Sequence, residues 1–384
     1  MQPVLVARRR DFHRHPELAF TEVRTASIVA SRLSELGYEV TPGVGKTGVV
    51  AVMEGSGAPG ETLLVRFDMD ALPIHEAVDV PFKSMTDGIM HACGHDAHTA
   101  IGLGVAEVMA RHKSAWNGVV KFVFQPAEEI ISGAAAMIAD GALENPRPTR
   151  TLSMHVNSME PVGQIQMVDG PSMAGADPFD IVVGGRGTHG ASPHLGIDPI
   201  LASANILVAL QSIVSRNVDP LKSAVITIGS IHGGSAGNIV PDEVRLQGTL
   251  RTFDQDIREL TMRRIPEVVE GIAKSMGCSG SVVWGGSRVP ATVNAPAFAQ
   301  VVRENARGIP AITEINTTRR TMGSEDCSWF LEAAPGAYVN IGAAMHEQGA
   351  REPHHSPRFE ISEDSMPIAV ALLSKSAMDM LGGK

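Results

Sequence analysis

The sequence predicts an α/β protein interrupted by a ferredoxin-like α+β unit. Strand-like and helical patterns alternate through residues 1–176, and the order β-α-β-β-α-β occupies 177–289. Alternation then resumes over 290–384 and ends in the helical stretch "SMPIAVALLSKSAMDMLG". The expected organisation is one α/β domain, 1–176 with 290–384, carrying an inserted domain at 177–289.

The elements follow in order. "TASIVASRLSELG" reads as a helix, and "TGVVAVMEG" and "ETLLVRFDMD" read as strands. In "AHTAIGLGVAEVMARH", Ala97, Ile101, Val105 and Met109 recur every four residues and give a helix one buried face. "NGVVKFVFQPAEE" and "TRTLSMHV" read as further strands. The insert contributes "PFDIVVGG", the helix "DPILASANILVALQSIVSR", "AVITIGSIHGG", "EVRLQGTLRTF", the helix "DQDIRELTMRRIPEVVEGIAKSMG" and "GSVVWGG". Pro266 is expected to kink that second helix or mark its true start. Ile200, Ala204, Leu207 and Val214 form an apolar face expected to cover the insert's sheet, leaving a strand edge open to a second subunit.

Composition narrows the function classes. With 384 residues, 43% hydrophobic and 19% charged, the chain can bury a large core in two domains or more. A net charge of -10 repels phosphate backbones, and 4% aromatic residues offer few stacking platforms, which argues against a nucleic-acid partner. No apolar run reaches the length of a membrane span, and the basic cluster near the start follows a short apolar stretch instead of preceding it. A cytoplasmic protein with no membrane partner is expected. Cys93, Cys278 and Cys327 are odd in number and far apart, which points to reduced thiols.

An α/β sheet gathers ligands beyond the carboxyl ends of its strands. Asp68 and Asp70 end one strand, Glu128 and Glu129 follow "FVFQ", His155 ends "TLSM", and "MHACGHDAHT" precedes a helix. Cys93 and His95 offer a thiolate and an imidazole, Glu128 and Glu129 two carboxylates, and His155 and His355 further imidazoles. Two metal ions about 3.5–4 Å apart could use this set, with a bridging water ionised near neutral pH. Consecutive glutamates at a strand end diverge, so one can ligate while the other serves as general base.

Rival readings use fewer residues. A closed zinc clip lacks a second Cys-x-x-Cys or His-x-x-x-His pair. A thiol nucleophile at Cys93 would gain from the helix N-terminus and from His91 and His95, but histidines two positions either side do not both orient one thiolate. "GGRGTHG" has G-x-G-x-x-G spacing, yet Pro193 separates it from the next helix and no acidic residue closes a second strand. "GVGKTG" resembles a phosphate loop with Val40 where its first glycine belongs, and reads as a turn. Any one of the histidines alone is more often a structural residue; convergence at strand ends favours the metal reading.

The motifs "RRDFHRHPELAFTE", "RFDMDALPI", "MHACGHDAHT", "FQPAEE", "GTHGASPH", "IHGGSAGNIVPDE", "GTLRTF", "GSEDCSWF" and "HHSPRFEIS" occur in this order over nearly the whole chain. The sequence thereby resembles the hippurate hydrolase, aminoacylase and auxin-conjugate hydrolase branch of the dinuclear metallopeptidases related to glutamate carboxypeptidases. The resemblance implies a metallopeptidase-type catalytic domain with an inserted dimerisation or lid domain. It implies Cys93, His95, Glu129, His155 and His355 as metal ligands, with Cys93 bridging two divalent ions, and Glu128 as general base. His355 is preferred over His354 because it precedes "SPRF", while Asp68 or Asp70 would orient ligands.

In the insert the resemblance implies His189 as the group polarising the scissile carbonyl, Asn238 near the substrate and Arg251 as a carboxylate contact. It further implies a homodimer, with a tetramer also allowed, in which His189 of one chain serves the other. Departures are Val156, where many relatives carry asparagine, and Cys327, where they carry an aromatic residue. The expected activity is hydrolysis of N-acyl-amino acids or similar small amide conjugates, with zinc, manganese, cobalt or nickel as the metal. A dipeptidase or carboxypeptidase shares the same chemistry, and a non-catalytic metal-site binding protein is disfavoured by the intact Glu128.

Overall fold

A computed structural model describes residues 1–346 and 351–382. The chain forms two compact units: Met1–Ser172 with Thr292–Arg320 and Glu325–Lys384, and Met173–Ala291 with Thr321–Ser324. Positions 347–350 and 383–384 of the expected 290–384 segment lie outside the described residues.

The first unit begins with α1 (Gln2–Arg14), α2 (Val23–Glu35), β1 (Glu39–Val44), β2 (Gly48–Glu54), β3 (Thr62–Asp68) and α3 (His95–Arg111). Next come β4 (Val119–Gln125), α4 (Gly133–Ala139), β5 (Arg150–Pro161), β6 (Gln164–Gln166) and β7 (Gly170–Met173). Every residue of β3 is buried, as expected of a strand covered on both faces of a parallel sheet. Helix α3 is buried almost throughout because small residues let it approach its neighbours. Gly102 packs on Phe67 and Phe124 of the sheet, and Gly104 packs on Leu5 and Val370 of the layer outside.

The second unit contains β8 (Gly175–Gly184), β9 (Thr188–His189), α5 (Pro199–Asn217), β10 (Ala224–Gly233), β11 (Ile239–Val240), β12 (Glu243–Thr252), α6 (Gln255–Ser275) and β13 (Ser279–Trp284). Its four-stranded sheet has the order β10-β12-β8-β13 and is antiparallel throughout, the ferredoxin-like arrangement, while β9 and β11 pair in a separate ribbon. Asp198 caps α5 by accepting the Ile200 and Leu201 amides. The two ends of the insert meet in a bridge, Ala176 N to Val289 O and Val289 N to Ala176 O, each 3.0 Å.

Two expectations for the insert change. Helix α6 runs from Gln255 to Ser275 with Pro266 inside it, so of the two alternatives, a kink or a true start, the start is excluded. The face of α5 that covers the sheet is Ala202, Ile206, Leu210 and Ile213; Ile200 is 46% exposed, Ala204 is exposed, and Leu207 and Val214 are only half-buried. The helix is apolar almost all round, so spacing alone did not select the face.

The first unit resumes with β14 (Thr292–Asn294), α7 (Pro296–Arg307), β15 (Glu314–Asn316), α8 (Ser328–Ala333), β16 (Gly336–Ala344) and α9 (Ser365–Met380). Its ten-stranded sheet has the order β1-β2-β4-β3-β5-β16-β14-β7, with β6 on β16 and β15 on β6. β4, β3, β5 and β16 run parallel. The chain passes from β3 to β4 on one side and then to β5 on the other, so the connections diverge at β3 and open a crevice beyond its carboxyl end.

Candidate metal centre

Cys93 and His95 flank Gly94, the residue before α3, whose φ of 95° is left-handed. A Cβ there would lie 2.4 Å from Val156 Cγ2. Glycine therefore lets the "HACGHD" turn press on β5 and present thiol and imidazole together. The expected strand end at His155 is corrected: β5 continues to Pro161, and His155 points out from within it, paired with Asn340 of β16. Glu128 and Glu129 lie in the turn after β4, with Ala127 at φ 53°. The expected divergence of the two glutamates does not occur, because a turn and not a strand carries them. Both carboxylates face His95 Nε2, at 3.9 Å for Glu128 and 3.8 Å for Glu129.

Five three-donor groups occur among the described residues, His95 with Glu128 and Glu129 among them, and two share Cys93: Cys93 with His95 and His155, and Cys93 with Glu129 and His355, each within 4.8 Å across its ligand atoms. The Cys93 sulfur belongs to both. His155 donates Nδ1–H to Val156 O at 2.6 Å, leaving Nε2 at 3.5 Å from Cys93 Sγ. His95 donates Nδ1–H to Asp70 O at 2.9 Å. His355 Nε2 is 3.2 Å from Glu129 Oε2. His354 also approaches the sulfur, Nδ1 at 3.5 Å, so both members of the doublet border the centre. His95 Nε2 and Glu129 Oε1 are buried and have no hydrogen-bond partner. Soft and hard donors converging with two orphaned ligand atoms fit a pair of divalent cations.

The two carboxyls sit in different charge environments. Burial, with Glu325 next, pushes the Glu128 carboxyl well above the usual carboxylate range. Burial also acts on Glu129, but His355 and His95 outweigh it and hold that carboxyl below the usual range. Burial and the adjacent Glu129 push the Cys93 thiol well up. Burial holds His155 well below the imidazole range, in the neutral form a ligand requires.

The two aspartates bond differently: Asp70 meets expected ligands, while the Asp68 carboxylate bonds to His98 and Arg66. Asp70 Oδ1 lies 3.2 Å from His95 Nδ1, and Oδ2 accepts from Glu129 N at 2.9 Å. Asp68 Oδ1 receives His98 Nδ1 at 2.6 Å, and His98 Nε2 accepts the Val156 amide at 3.0 Å. Buried Arg66 joins Asp68 to Glu325, at 2.7 and 2.8 Å. His98, Arg66, Glu325 and Asp326 went unassigned from sequence. Arg66 carried a signal nonetheless, since a charge inside the apolar run "TLLVRFD" must be paired when buried.

Within the second unit, His189 is exposed and its Nδ1 accepts the Ala191 amide at 3.0 Å, which leaves Nε2 to carry the proton. Asn238 is exposed, and its carbonyl accepts from Gly190 N at 2.7 Å. Arg251 donates to Ser324 Oγ at 2.7 Å. Val156, one of the departures, is fully buried. Cys327, the other, is fully buried at the start of α8.

The fold and the centre are those of a dinuclear-type metallohydrolase scaffold. The model of peptidase family M20/M25/M40 matches residues 64–379, and the chain belongs to that family. It is 38% identical over 363 residues to thermostable carboxypeptidase 1 of Saccharolobus solfataricus, covering 94% of this chain and 91% of that one. It is 37% identical over 381 residues to N-acetyl-L-cysteine deacetylase of Bacillus subtilis, covering 99% and 89%. The solved YXEP protein of Bacillus subtilis, described as a dinuclear metal binding peptidase of the M20 family, aligns with a TM-score of 0.86 at 33% identity, covering 100% of this chain and 99% of that one.

Proposed function

We propose that the protein is a metal-dependent amide hydrolase acting on N-acyl-amino acids or similar small conjugates. The observation that carries this reading is the pair of three-donor groups sharing Cys93 Sγ, with the Glu128 carboxylate against His95. Cys93, His95 and His155 would hold one divalent ion, and Cys93, Glu129 and His355 the other, zinc, manganese, cobalt and nickel all suiting the donors. When bound, the ions supply Lewis acidity and a water that ionises near neutral pH.

Glu128 would accept the proton of the attacking water and return it to the nitrogen of the leaving amine. Its raised proton affinity suits both halves of that transfer. His189, of a partner subunit in a homodimer, would donate Nε2–H to the developing oxyanion; the tautomer set by Ala191 supports this role. Asn238 and Arg251 would line the substrate's path. The deacetylase relative supports the acyl-amino-acid reading, and the carboxypeptidase relative keeps C-terminal peptide cleavage as the second reading.

Release of free amine from matched panels of N-acyl-amino acids and peptides separates the two. Glu128→Gln is expected to keep both metals and lose about 10²–10⁴ of the turnover, the usual share of general acid–base catalysis. Loss of metal from this variant would make Glu128 a ligand and overturn the assignment.

A further inference from the structure

We propose that Glu22 is a positioning residue for Glu128: a buried carboxylate that fixes the peptide group leading into the general base. The inference rests on the role given to Glu128 above. Glu22 is fully buried just before α2, in the segment "HRHPELAFTE", far in sequence from the centre. One oxygen, Oε1, accepts two backbone amides, Phe20 N at 3.0 Å and Ala127 N at 2.9 Å. The other, Oε2, accepts the hydroxyl of Thr47. Glu22 belongs to none of the three-donor groups.

The three segments tied by Glu22 each hold a non-glycine residue in the left-handed region: Phe20 at φ 62°, Lys46 at 77° and Ala127 at 53°. Such backbone persists only where its surroundings enforce it, and it gathers at functional sites. Ala127 is held on both sides, its amide by Glu22 and its carbonyl by the Ser132 and Gly133 amides at 3.3 and 3.1 Å. On the other side of Glu128, the Glu129 amide is held by Asp70 Oδ2 at 2.9 Å. The base is thus carried on a turn whose amides before and after it are both clamped by buried carboxylates. The "GVGKTG" segment joins the clamp through Thr47, with Lys46 Nζ 3.9 Å above the Phe20 ring.

The atom pattern makes the role separable from charge. Glutamine at 22 can keep Oε1 on both amides and turn Nε2 toward the Thr47 oxygen, so Glu22→Gln preserves the clamp without the charge. Glu22→Asp preserves the charge but is one methylene too short to reach Ala127. Glu22→Ala removes both. The experiment measures kcat, KM, metal content and thermal midpoint for the three variants, in the wild-type and Glu128→Gln backgrounds.

Glu22→Ala is expected to lose about 10- to 100-fold in kcat, the scale of a misplaced catalytic group, with both metals retained and KM changed by less than about threefold. Glu22→Gln stays within about threefold of wild type, and Glu22→Asp falls with alanine. If Glu22→Ala does not fold, the ranking of glutamine above aspartate carries the test. In the Glu128→Gln background, removing the Glu22 side chain costs less than about threefold, because the residue acts through Glu128. Aspartate ranking above glutamine, a loss confined to KM or metal content, or equal losses in both backgrounds would overturn the proposal. A fully active Glu128→Gln would overturn it together with the reading it rests on.

Discussion

Gly94→Ala probes how the turn between the two ligands is held. At φ 95° an L-residue meets the left-handed penalty, about 1–2 kcal/mol. The new methyl would also stand 2.4 Å from Val156 Cγ2, on a fully buried side chain whose amide is engaged by His98. Forcing a methyl into such a core costs about 1–3 kcal/mol. The sum is about 2–5 kcal/mol, and the turn must shift to relieve part of it. Because Cys93 and His95 ride on that turn, metal affinity is expected to fall about 10- to 100-fold, as it does when ligand-orienting contacts are lost. Metal affinity is read by competition with a chromophoric chelator, and stability by chemical denaturation of the metal-free protein. Adding Val156→Ala removes the opposing methyl, so the double variant should regain the packing share and keep the left-handed share. Unchanged stability and metal affinity in Gly94→Ala would refute the argument that this glycine sets the ligand geometry.

The role of His189 predicts complementation: His189→Ala and Glu128→Ala, each inactive alone, regain activity when unfolded and reassembled together, because one site of each mixed dimer has both groups. Mixed dimers that form and stay inactive would exclude a cross-subunit histidine. Lys121 is fully buried in β4, its Nζ donating to Ala142 O at 3.1 Å and Glu144 O at 2.6 Å, and burial lowers it to about 8. Above pH 8 the folded lysine is neutral while the unfolded one binds a proton up to about 10.4, so the unfolded state holds more protons and stability rises with pH. Urea midpoints of wild type minus Lys121→Met should therefore shift in favour of wild type between these values, by about 1–3 kcal/mol; a flat difference would contradict the buried-lysine account.

Much of the centre was legible because most candidate ligands lie in turns, where a polar residue after an apolar run has no packing reason to be there; His155, inside β5, is the exception. "FVFQPAEE" and "HACGHD" show this directly. Residues that act through others were not legible. His98 lies on the same helix as the motif, yet only the fold shows that it joins Asp68 to the Val156 amide. Glu22 is separated from Ala127 by more than the whole of β1 to β4, and no local pattern links them. The same holds for α1, whose mixed charges hide a buried face of Leu5, Arg9, Phe12 and His13. There Arg9 and His13 both meet Asp96 at 2.8 Å, so the charges are core contacts. Periodicity also failed in α5, where apolar residues on every side gave no preferred face.

The bridge between Ala176 and Val289 bears on how the molecule is made. β5 is synthesised before the insert and β16 after it, yet the two pair side by side in the first sheet. A nascent chain must bring them together across everything between, and the entropy of that closure grows with the length left open. Once the insert has folded, its two ends are clasped by the pair of 3.0 Å bonds, and the open span shrinks to the segments flanking the clasp. A folded insert is therefore expected to shorten the loop that closes when β5 meets β16. Weakening its core is expected to slow refolding of the larger sheet even with that sheet's residues unchanged, and an unaltered refolding rate in such a variant would contradict this.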